Sequence, residues 1–299
     1  MTLLETLGDR GLVLHHRPAS VSPAEGRAAM ASIDRSPMFD THTHLQDPRI
    51  TDLEASITRA REAGIARLLC CGTSEKDWAL VGELAATHRD FLQPAYGLHP
   101  GYIAGRSGDW ARRLASRIEA DRCAAMGEIG LDGGRDTTAS GMEEVFLVQL
   151  RLARRLNRPL SIHGRKAWEQ LTRHLEREGP FPAGLALHSF SGPPDIVPRL
   201  VKAGAFFSFS GSITWERNVR GRRALAAAPL DRLLAETDTP DMPAAGVLPP
   251  APGMRAISEP SHLILVIRAM ASARGLDENE MRRLTADNAT RLFGKLADG

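Results

Sequence analysis

Short apolar runs recur along the chain from Met38 onward. They stand at 38-MFDTHTH-44, 66-ARLLCCGT-73, 91-FLQPAYGLH-99, 123-CAAMGEIGL-131, 159-PLSIHG-164, 184-GLALHSF-190, 205-AFFSFSG-211 and 232-RLLAETD-238, and read as eight candidate strands. Most intervening segments read as helices, among them 51–64, 75–88, 141–157 and 195–204. Their apolar residues return every three or four positions, and several end on Gly or Asn as a helix C-cap does. Eight strand-then-helix units within about 260 residues predict a single (β/α)8 TIM barrel of the α/β class. A doubly wound sheet would need fewer strands, and no Gly-rich dinucleotide fingerprint follows the first one. The helical segments 259–275 and 278–294 are expected to close the barrel.

Residues 1–37 break this rhythm. The stretch 17-RPASVSPAEGRAAMASIDRSP-37 is rich in Pro, Ser, Ala and Gly and has no sustained apolar stripe. It reads as a poorly ordered N-terminal extension to a barrel domain over 38–299, or as an overcalled start upstream of Met38. His15 and His16 fall in it and are expected to hold no ligand. The 299 residues are 42% hydrophobic, enough for a large core, and carry a formal charge of +2. With so little net charge, any nucleic-acid contact should be a local basic patch. Three cysteines, two of them adjacent in 67-RLLCCG-72, make no disulfide framework and suit a reducing cytosol. No run approaches the ~18 apolar residues of a membrane span. Glu5, Asp9 and Arg10 interrupt the early leucines, so no secretory signal is read there. A soluble cytoplasmic protein is expected.

Functional side chains of such a barrel gather at the C-terminal strand ends. His42 and His44 end the first candidate strand, His99 the third, Glu128 the fourth, His163 the fifth, His188 the sixth and Asp238 the eighth. Five of the ten histidines therefore fall at strand ends, while His88, His174 and His262 lie elsewhere. Imidazole and carboxylate together suit Zn²⁺, Mn²⁺ or Co²⁺, and more weakly Mg²⁺. His42, His44, His163 and His188 with two carboxylates exceed the needs of one tetrahedral ion. Two ions sharing a carboxylate would use them all and leave positions open to water and substrate. Asp238 could also take the proton of an attacking water. Singly, each residue has an ordinary reading as a hydrogen-bonded histidine or a helix-capping carboxylate. The six together point to metal. His99, followed by Pro100, reads as a substrate or supporting contact, and Asp40 as a supporting strand-end residue. Arg165 could fork onto a phosphate or form a salt bridge at the rim.

The ordered blocks DTHTHL (40–45), GLHP (97–100), GEIGLD (127–132), IHGR (162–165), HSFSG (188–192) and ETDTP (236–240) resemble the signatures of the TatD-type metal-dependent hydrolases. With 228-APLDRLLAETDTP-240 and 288-NATRLFG-294, the resemblance covers residues 38–296. It implies a distorted amidohydrolase-type TIM barrel and a site for two divalent ions (Mg, Mn or Zn). The implied reaction is phosphodiester hydrolysis, as a deoxyribonuclease of 3′–5′ exonuclease character with DNA as its partner. By position, His42, His44 and Asp238 would hold one ion, His163 and His188 the other, and Glu128 would bridge them. His99 and Arg165 would line the pocket, with Asp238 and Glu128 the catalytic carboxylates. Two departures bear on substrate rather than chemistry. The chain has 258-SEP-260 where the family commonly has Asn-Glu-Pro, so the polar contact of that Asn is missing. The Pro- and Gly-rich segment 241–257 is expected to form a loop over the site, and its Asp-Met-Pro resembles a subgroup with a less defined substrate.

Two other functions fit parts of the pattern. An amidohydrolase acting on an amide or ester would keep the metals but line its pocket with neutral groups. Arg165, with Lys166 and Arg255, favours a phosphodiester instead. An inactive binding or scaffold protein is the remaining reading, and the intact ligand set argues against it.

Overall fold

All eight strands form where the apolar runs predict them: β1 (Met38–Thr43), β2 (Ile65–Cys71), β3 (Leu92–Tyr96), β4 (Ala125–Asp132), β5 (Leu160–Arg165), β6 (Leu185–Leu187), β7 (Ala205–Phe209) and β8 (Leu233–Ala235). The computed structural model describes residues 36–134, 141–249, 251 and 253–294. The segment 1–35, with His15 and His16, lies outside the described residues. Each strand pairs in parallel with the next in sequence order. Almost every strand residue is buried, as expected of a sheet covered outside and filled inside. The two neighbouring cysteines of β2 show the alternation. Cys70 packs in the cluster beneath the helices, and Cys71 in the cluster inside the barrel.

The seam between β1 and β8 closes just beyond the short last strand. Thr43 bridges Thr239, His44 N donates to the Thr239 carbonyl (2.7 Å), and Asp238 N donates to the His42 carbonyl (3.0 Å). Asp40 fastens the same seam: its carboxylate accepts from Thr237 N at 2.9 Å and from Thr237 Oγ1 at 2.6 Å. Residues singled out along the chain as candidate ligands thus stand on backbone that also closes the barrel.

Helices α1 (Leu53–Glu62), α2 (Trp78–Thr87), α3 (Trp110–Ala120), α4 (Met142–Leu156), α5 (Trp168–Glu178), α6 (Val197–Lys202), α7 (Val219–Ala227) and α8 (Leu263–Arg274) cover the outside. Asp52 and Asn218 start α1 and α7 by accepting from Ala55 N (3.0 Å) and Gly221 N (2.9 Å), caps worth about 1 kcal/mol each. Asn157 and Gly275 end α4 and α8 in the left-handed conformation, φ 50° and 65°. The last helix, α9 (Glu278–Phe293), stops up the N-terminal mouth with Ala289, Leu292 and Phe293 against Phe39, Leu69, Phe206 and Leu234. Arg67 seals that end. Its guanidinium lies 4.7 Å from the Phe39 ring, donates to Gln93 Oε1 (2.5 Å) and reaches the Gly294 carbonyl. Burial draws its pKa down to about 10.

The segment 258–260 is held without the Asn. Ser258 N donates to the Pro240 carbonyl (2.9 Å), and Glu259 caps the following turn. Arg59 of α1 forks onto the Glu259 carboxylate at 2.8 Å in both arms. No helix among the described residues is long and apolar enough to cross a membrane.

Candidate metal centre

The C-terminal mouth is built around Glu128. Its Oε2 faces His42 Nε2 (3.5 Å) and His44 Nε2 (3.4 Å), which stand 4.0 and 3.6 Å from Asp238 Oδ1. Its Oε1 faces His163 Nδ1 (3.0 Å), His188 Nε2 (3.2 Å) and His99 Nε2 (3.6 Å). The seven residues singled out at strand ends are therefore brought together, in two groups, one on each oxygen of a single carboxylate. Close strand approach makes this possible. A Cβ at Gly130 (φ 155°) would lie 2.0 Å from the His163 carbonyl oxygen, so only glycine lets β4 and β5 meet there.

Second partners set the histidine tautomers. His44 Nδ1 lies 2.8 Å from the Cys71 carbonyl and His188 Nδ1 3.1 Å from Glu236 Oε1. Both neighbours only accept, so Nδ1 carries the proton and Nε2 turns to the centre. His42 Nδ1 rests on Ser161 Oγ at 2.8 Å. His99 is opposite in sense. Its Nδ1 accepts from Gly101 N (3.0 Å), so its inward Nε2 carries a hydrogen and donates. His163 leaves Nε2 buried without a hydrogen-bond partner. A buried ring nitrogen of that kind is costly until a ligand satisfies it. Convergent imidazole lone pairs and carboxylates, with one orphaned nitrogen, fit a divalent cation.

Electrostatics follow from burial opposed by neighbours. Burial alone would lower the pKa of His44, but Glu128 and Asp238 outweigh it and raise it to about 9. His188 is likewise driven well above its ordinary value against burial by Glu236 and Glu128. Burial and the His188 ring, stacked at 4.0 Å, lower His42 to about 4. Glu128 stays ionised, held well below the usual carboxylate range by His99 and His188 in spite of its burial. Burial pushes Asp238 up to about 7, and Asp40 to about 8.

The cleft above these groups has a volume of about 730 Å³, and His44, His99, Glu128, His163, His188 and Asp238 reach its wall. Arg165 lines it too, half-exposed, with Nη1 3.3 Å from Asp132 Oδ2. Lys166 and Arg255 are exposed but lie outside its lining. Of the described residues of segment 241–257, only Asp241 and Met242 reach the cleft; the next residues lean on the turn after β7, where Trp215 Nε1 donates to the Pro243 carbonyl (3.0 Å). Sequence reasoning missed Glu236, Ser161 and Asp132, which orient His188, His42 and Arg165. It also missed Tyr102, exposed at the lip with its ring 5.7 Å from that of His99. The place of Glu236 in the ETDTP block, two positions before Asp238, is the signal that could have flagged it.

An eight-stranded parallel barrel with a histidine–carboxylate centre at its C-terminal mouth defines a barrel hydrolase of the metal-dependent kind. The sequence profile of the family described as TatD related DNase matches residues 39–294, and the chain belongs to that family. It is 31% identical to the uncharacterized metal-dependent hydrolase YabD of Bacillus subtilis, over 86% of this chain and 98% of that one. It is 32% identical to the 3′–5′ ssDNA/RNA exonuclease TatD of Pantoea ananatis, over 86% and 99%. The crystal structure of the TatD homologue YjjV from Escherichia coli K12 superposes with a TM-score of 0.78 at 32% identity, over 86% of this chain and 97% of that one.

Proposed function

We propose that the chain is a two-metal phosphodiesterase acting on DNA, a TatD-type deoxyribonuclease of 3′–5′ exonuclease character. The observation that carries this reading is the division of ligands between the two oxygens of Glu128. His42, His44 and Asp238 would hold one divalent ion (Mg, Mn or Zn), His163 and His188 the other, with Glu128 shared. Bound there, the ions would supply Lewis acidity to a phosphoryl oxygen and make a nearby water more acidic. Arg165, held by Asp132 at the cleft wall, forks onto non-bridging phosphate oxygens. His99 donates its Nε2 hydrogen to the substrate, since Gly101 N occupies Nδ1. Asp238 accepts the proton of the attacking water, and Glu236 and Ser161 keep the His188 and His42 rings turned inward. The relative named as an ssDNA/RNA exonuclease supports a nucleic-acid substrate, and the cationic Arg165 fits one better than an amide. Free, buried Cys70 and Cys71 suit a cytoplasmic setting.

The test is a panel of single-stranded DNA, RNA, a small phosphodiester and an amide, each with and without Mg²⁺ or Mn²⁺. Metal analysis of the purified chain should find close to two divalent ions. Metal-stimulated release of nucleotides from DNA is expected; turnover of the amide alone would overturn the reading.

A further inference from the structure

The turn between β7 and α7 runs into 215-WERNVRGRR-223, with four arginines against one glutamate. Arg222 is engaged locally, reaching the carbonyls of Ile213 and Glu216. Arg217, Arg220 and Arg223 are exposed, and among the described residues none of them has an ion pair or hydrogen bond. Arg49, Arg59, Arg61, Arg113, Arg151 and Arg199 each sit on a carboxylate, whereas the other exposed arginines with neither kind of partner, Arg122, Arg155, Arg173, Arg255 and Arg283, stand singly along the chain. The three free arginines are spaced three residues apart. Gly221, Ala224 and Leu225 face the core, so Arg220 and Arg223 line the outer face of α7. Arg217 leads into that row, with its guanidinium 5.1 Å from the ring of a partly exposed Trp215.

The row starts beside the segment that leads out of the cleft. Trp215 Nε1 donates to the Pro243 carbonyl (3.0 Å), and Ala245 N donates to Thr214 Oγ1 (2.6 Å). The same segment begins with Asp241 and Met242, which line the cleft. Unpaired guanidinium groups beside an indole, next to a segment that runs into the proposed phosphodiesterase cleft, match the chemistry of a single-stranded polyanion. Phosphates meet the cations, and a base can lie against the Trp215–Arg217 stack.

We propose that Trp215, Arg217, Arg220 and Arg223 form a track for the flank of a single-stranded nucleic acid whose scissile bond lies in the cleft. This rests on the phosphodiesterase reading above. The track reads charge and stacking, so DNA and RNA strands should use it alike.

The test compares the metal-loaded full-length chain with the triple variants Arg217→Ala/Arg220→Ala/Arg223→Ala and Arg217→Lys/Arg220→Lys/Arg223→Lys. Each is assayed on a long single strand and on a dinucleotide. The alanine triple should raise KM for the long strand about tenfold and flatten its salt dependence by ~2 in log–log slope, three contacts at ~0.7 each. Its kcat and its turnover of the dinucleotide should not change, and the lysine triple should keep most of the affinity. An unchanged KM on the long strand overturns the track, as does an equal rise on the dinucleotide or an equal loss in the lysine triple. If the wild type cleaves the dinucleotide but not the strand any better, the track alone fails. If it cleaves neither, the phosphodiesterase reading fails and the track falls with it.

Discussion

The two mouths of the barrel are made from the same eight strands and have opposite contents. At the N-terminal mouth Phe39, Leu69, Phe206 and Leu234 meet Leu292 and Phe293 of α9, and Arg67 is spent on carbonyls and an aromatic face. At the C-terminal mouth five histidines and two carboxylates are turned on one another, largely buried and incompletely satisfied. One end converts apolar area into stability. The other holds like charges and an orphaned nitrogen together, which costs stability until a ligand arrives. The barrel can carry the second because the first is so well filled.

Breaking each end should give opposite signatures. Asp238→Asn should lower kcat/KM by about 10²–10⁴ while the melting temperature holds or rises, since a buried carboxylate is removed. Steady-state kinetics beside a thermal melt checks both. Phe293→Ala at the plug should cost about 3–5 kcal/mol in chemical denaturation, with activity per folded molecule retained.

Finer changes sharpen the contrast. Glu236→Ala frees the His188 ring and should weaken metal binding by about 10- to 100-fold, measured by titration with Mn²⁺. The raised pKa values of His44 and His188 mean that a divalent ion must displace protons from the centre. Metal affinity should therefore climb with pH up to about 9, with proton release read from calorimetry in buffers of different ionisation heat. An affinity independent of pH would refute that coupling.

The smallest effect concerns an ion pair between α4 and the C-terminal end of α5. Arg151 holds Glu178 down to about 2, below the ~4.3 of an unfolded glutamate. A depressed carboxylate contributes stability above its unfolded pKa, and that contribution is lost as pH falls from about 4 to about 2. Because the arginine is half-exposed, the loss should stay within about 1 kcal/mol. Glu178→Gln should remove that slope from acid melts.

Much of this was legible along the chain. Runs of Leu, Ile, Phe and Ala alternating with helical stripes place all eight strands, and the ends of those strands place His42, His44, Glu128, His163, His188 and Asp238. Seven of the eight strands are shorter in the fold than their apolar runs, most clearly β6 and β8, where three paired residues replace seven apolar-run positions. There the loops carry the backbone hydrogen bonds onward, as at the Thr43–Thr239 bridge. Asp40 is a supporting residue, but its support is the seam with Thr237, 197 positions away.

The sequence by itself determined the barrel and which side chains stand at its C-terminal mouth, because strand periodicity and strand order are local properties that repeat. Only the tertiary structure decided how those side chains divide the two oxygens of Glu128, which nitrogen each imidazole presents, and why His99 donates where its neighbours accept. Those depend on contacts such as Cys71 with His44, Glu236 with His188 and Gly101 with His99. The same holds for the arginine row beside Trp215, whose freedom from carboxylates is a fact about neighbours in space. Hydrogen-bond partners far apart in the chain are set by packing, and no periodicity encodes them.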